Sequence, residues 1–76
     1  MRKEEALGDV IDELEEATSK FGPMLSPHEG LAIILEEYEE LKEEIFKPFN
    51  VRQDILMRKE AKHVAAMAIR FMMDQT

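Results

Sequence analysis

The stretch Ser26-Pro27-His28-Glu29-Gly30-Leu31-Ala32-Ile33-Ile34-Leu35-Glu36-Glu37-Tyr38-Glu39-Glu40-Leu41-Lys42-Glu43-Glu44-Ile45 decides the fold. A serine followed three residues later by a glutamate, with proline between them at the first helical position, is a capping box that opens a helix. Leu31, Ile34, Leu35, Tyr38, Leu41 and Ile45 then recur at three- and four-residue spacing, which gives one apolar face. The helix is expected over residues 27–46, since Lys47 precedes Pro48 and the residue before a proline is pushed out of helical geometry. At about 100° per residue, Glu37, Glu40 and Glu44 line up with Ile33 on a different face. An aliphatic residue in an acidic row marks a side that meets another helix or a ligand as well as water.

Upstream, Leu7, Val10, Ile11, Leu14, Ala17 and Phe21 form an apolar stripe with acids between them, predicting a helix over 3–20. Gly8 weakens its first turn, and Gly22-Pro23 stops it. Downstream, Asn50-Val51-Arg52-Gln53 reads as a second capping box for a helix over 51–74. Its expected apolar stripe is Met57, Ala61, Val64, Ala68 and Phe71, with Met67 at the margin. No strand-like alternation and no repeat occurs. The expected fold is all-α and single-domain over 1–76: two long antiparallel helices plus an N-terminal helix, paired with a second copy into a dimeric four-helix-bundle core.

Composition supports that assembly. A 76-residue chain with no cysteine has no disulfide to supplement a small core, and chains of this size usually need a metal or a partner subunit. With 45% hydrophobic residues it is too apolar for intrinsic disorder. No apolar run approaches the roughly 20 residues of a membrane span, and no signal region follows the charged start, so a cytoplasmic protein is expected. Seventeen acids against ten Lys and Arg would repel nucleic-acid backbones and anionic membranes.

The third helix carries the sharpest chemical signal. Glu60 falls inside its expected apolar stripe, and an unpaired carboxylate there is costly unless it is protonated, paired with a base or bound to a cation. His63 lies one turn on. If the second helix is the neighbour, Glu37 and Glu40 at i, i+3 would face Glu60 and His63 at i, i+3, a four-ligand set for a divalent cation. Ala61, Ala65, Ala66 and Ala68 thin the helix and allow that approach. An ion pair of Glu60 with Lys59, Lys62 or an arginine is the structural alternative. His28 reads as solvent-facing or part of the turn. Arg70 is placed to reach a phosphate or to pair with Asp74 at i+4, and the methionines read as core filler, since a hard-cation site does not use thioether sulfur.

These residues resemble a known family. Glu36-Glu37-Tyr38-Glu39-Glu40 matches the E-E-x-x-E motif of the all-α nucleotide pyrophosphohydrolases, the MazG-like group, and Glu60 is similar to the first acid of their downstream E-x-x-D motif. Lys20-Phe21-Gly22, Ser26-Pro27-His28-Glu29-Gly30 and Val64-Ala65-Ala66-Met67-Ala68-Ile69-Arg70 look like small phage and bacterial members, so the resemblance covers most of the chain. It implies hydrolysis of a nucleoside triphosphate to monophosphate and pyrophosphate with Mg²⁺ or Mn²⁺. In that reading Glu37, Glu40 and Glu60 are metal ligands, Glu36 positions water, and Lys20 and Arg70 are substrate-binding residues. The chain departs from the pattern at His63, which stands where the family has aspartate. Imidazole suits Mn, Fe and Zn better than Mg, so His63 as the fourth ligand would weaken a Mg²⁺ enzyme. Two other readings stand beside this one: a ferritin-like dinuclear metal protein, for which Glu60-Ala61-Lys62-His63 supplies one Glu-x-x-His motif per chain, and a non-catalytic helical interaction module.

Overall fold

A computed structural model describes residues 1–76 as three helices: α1 Lys3–Lys20, α2 Pro27–Ile45 and α3 Asp54–Gln75. Local chemistry sets the start of α2. Ser26 Oγ accepts from the Glu29 amide at 3.1 Å, and Glu29 Oε2 accepts from the Leu25 amide at 3.1 Å. The start of α3 differs from the expectation of residue 51. The Pro48 carbonyl accepts from the amides of Val51 and Arg52 at 2.9 and 3.0 Å, so Asn50 is consumed in a turn and does not cap the helix. Gln53 is the capping position instead, in extended geometry and without a side-chain bond. α2 ends one residue early, at Ile45, and α3 runs one residue beyond 74.

α3 is the centre of the molecule: it packs against both other helices, while α1 and α2 do not pack on each other. The pairs Asp9 with Arg58, Glu13 with His63 and Gly22 with Arg70 advance together, so α1 and α3 run parallel. Glu37 lies by His63 and Gly30 by Phe71, so α2 and α3 run antiparallel.

The core is Ala17, Met24, Ala66 and Met67, with Val10, Leu14, Ile33, Ile34 and Phe71 packed around it. This corrects the expected faces. In α3 the buried residues are Ala66, Met67 and Arg70, whereas Ala61 and Ala68 are exposed. A helix with two neighbours buries the side that faces both, here Met67 and Arg70 around Ala66, whose small side chain lets the other helices come near. In α2 the inward face is Gly30, Ile33, Ile34 and Glu37, while Leu31 and Leu35 are 60% and 53% exposed. Gly30 has a packing reason, because a Cβ there would lie 2.6 Å from Phe71 Cδ2. In α1, Leu7, Ile11 and Phe21 likewise stay outside.

The loop after α1 is tied to the end of α3. Arg70 Nη2 donates to the Gly22 carbonyl at 2.6 Å, the Met24 amide donates to Asp74 Oδ2 at 2.9 Å, and Gln75 Nε2 donates to the Met24 carbonyl at 2.7 Å. Arg70 and Asp74 thus each hold this loop and do not pair with each other. Buried backbone groups need such partners, and the long polar side chains of α3 supply them.

Candidate metal centre

The inward turn of α2 that follows Ile33 brings Glu37 against α3, where Glu60 and His63 stand one turn apart. Ligand atoms from Glu37, Glu40, Glu60 and His63 all lie within 4.8 Å of one another. His63 Nδ1 is 3.5 Å from Glu37 Oε2 and 3.4 Å from Glu60 Oε2. Both of these carboxylate oxygens are buried and have no hydrogen-bond partner. Glu37, Glu60 and His63 are half-buried and Glu40 is exposed, so the cluster has a closed side and an open one.

Charge is poorly balanced there. The ion pair of Glu60 with Lys59 or Lys62 does not form, and the one base within reach of Glu60 is His63. Burial pushes the Glu37 carboxyl above its ordinary value, and the charges of Glu40 and Glu60 push in the same direction; His63 opposes them. Three carboxylates and one imidazole with orphaned buried oxygens form a donor set that fits a divalent cation of the Mn²⁺ type, which accepts mixed oxygen and nitrogen ligands.

The centre opens into a groove of about 580 Å³ between α1 and α2. His63, Met67 and Arg70 of α3 form its floor, Glu36 and Glu37 line the α2 side, and Phe21 lies at the loop end. Arg70 is only 6% exposed and has no carboxylate partner. It therefore presents a cation to the groove from a fixed position. Lys20 stands elsewhere: its Nζ is 2.6 Å from Glu16 Oε1 on the exposed side of α1, and it is absent from the groove wall.

One member of the site lay outside the expected set. Glu13 of α1 reaches His63 Nε2 at 2.6 Å with a side chain only 13% exposed. The signal was present in the sequence, since at about 100° per residue Glu13 projects roughly 40° from Ala17, at the edge of the inward stripe of α1. No family model, curated protein or solved structure matches this chain.

Proposed function

We propose that this chain is a divalent-cation-dependent nucleoside triphosphate pyrophosphohydrolase that works as a homodimer. The observation that carries the reading is the pair of orphaned, buried oxygens of Glu37 and Glu60, which face His63 in a cluster without a Lys or Arg partner. Glu37, Glu40, Glu60 and His63 would hold Mg²⁺ or Mn²⁺. A bound cation would shield the triphosphate from an acidic protein and lower the pKa of a coordinated water. The groove volume falls within the usual range for small-ligand sites, about 300–1,000 Å³.

In the reaction, water adds to the α phosphorus and the bond from that phosphorus to the bridging oxygen breaks, releasing monophosphate and pyrophosphate. Glu36, exposed on the groove wall, takes the proton of the attacking water. Arg70 holds a phosphate or another anionic part of the substrate by charge-assisted hydrogen bonds. Dimerisation is supported by the outward face of α2, where Leu31, Leu35, Tyr38 and Ile45 are 40–60% exposed. Two copies pairing through this face would form the four-helix core.

Pyrophosphate release from a panel of nucleoside triphosphates, with Mg²⁺ or Mn²⁺, tests the function. Turnover should require the cation and run faster with Mn²⁺, because imidazole is a poor ligand for Mg²⁺. Glu60→Gln should abolish it without lowering the melting temperature, since it removes a buried charge. No release from any nucleotide with either cation rejects the hydrolase reading.

A further inference from the structure

We infer that Glu13 is a positioning residue that aims His63 at the cation, so that the centre draws on all three helices. The inference rests on the cation centre proposed above. The two nitrogens of His63 face different helices: Nε2 lies 2.6 Å from Glu13 Oε1 on α1, and Nδ1 faces the orphaned oxygens of Glu37 on α2 and Glu60 on α3. A neutral imidazole carries one proton and one lone pair. If the proton sat on Nδ1, the Nε2 lone pair would confront an anionic carboxylate at 2.6 Å. With the proton on Nε2, that contact becomes attractive, and the Nδ1 lone pair points where a cation must sit to satisfy both orphaned oxygens. Carboxylates that hold the far nitrogen of a metal-ligating histidine fix its tautomer and ring orientation in just this way. The half-burial of both side chains restricts the rotamers that would undo the arrangement.

The cation-loaded chain, with diamagnetic Zn²⁺ in place of Mn²⁺, gives one readout. Long-range nitrogen–proton correlation spectra of His63 should show the proton on Nε2, and a proton on Nδ1 overturns the inference. Calorimetric Mn²⁺ titration gives the second. Glu13→Ala should bind Mn²⁺ about 10–100-fold more weakly, and Glu13→Gln, whose amide oxygen still accepts from Nε2, should recover most of the loss. Wild-type affinity in Glu13→Ala, alongside loss of binding in Glu60→Gln, overturns the role of Glu13 and leaves the centre standing. Failure of the wild-type chain to take up Mn²⁺ overturns the centre itself, and this role with it.

Discussion

Glu37 is held where its charge is unwelcome, because burial and the neighbouring carboxylates raise its pKa above the ordinary value of 4.5. The folded state then binds more protons than the unfolded state over the interval just above that value, so this residue takes stability away as pH rises through it. Glu37→Gln should therefore raise the melting temperature at neutral pH. The gain should vanish below about pH 4, and thermal melts across pH 3–8 check both halves. Glu60 was legible in the sequence because a carboxylate in an apolar row has to find a partner, and its spacing to His63 points to the same turn of α3. Arg70 was legible only as a cation. What it binds is the carbonyl of Gly22, a backbone group 48 residues away that no spacing or charge pattern announces.

Two glycines in helices carry opposite meanings. At Gly8 a Cβ would meet nothing within 4 Å, whereas at Gly30 it would meet Phe71 Cδ2 at 2.6 Å and Met24 Sδ at 3.0 Å. Gly8→Ala should stabilise the chain by about 0.5–1 kcal/mol through the entropy of the unfolded backbone. Gly30→Ala should instead destabilise it, overpacking costing about 1–3 kcal/mol against the same gain. Denaturant unfolding of the two variants shows whether the signs differ. Helix starts followed the same division between local and distant causes. Ser26, Pro27 and Glu29 act within one turn and could be read directly. Asn50 could not, because the turn closed by the Pro48 carbonyl occupies it. The two faces of α2 read from the spacing are not the packed ones: Ile34 turns inward with Ile33, while Leu31, Leu35 and Tyr38 stay outside, because the missing Cβ of Gly30 lets Phe71 of α3 approach on that side.

At the scale of the whole molecule, the proposed dimer rests on the outward face of α2. A charge placed at Leu35, 53% exposed in the single chain, should be tolerated by the monomer and rejected by a dimer that covers this face. Light scattering should give twice 8.8 kDa for the wild type and the single mass for Leu35→Glu. Equal masses for the two proteins would mean that this face is not the interface. The all-helical architecture was legible at this scale because each apolar row keeps a helical period. The arrangement was not, because periodicity says which residues share a face and nothing about how many neighbours that face has. That α3 alone holds the other two helices also bears on the order of assembly. α2 and α3 are joined by a short turn, but α1 must find α3 across contacts about 50 residues apart, such as Asp9 with Arg58, a loop closure that comes late. On that topology the α2–α3 hairpin is expected to form first and α1 to dock last. Loss of α1 would remove one wall of the groove and the carboxylate beside His63, so the proposed centre would last only as long as α1 stays docked.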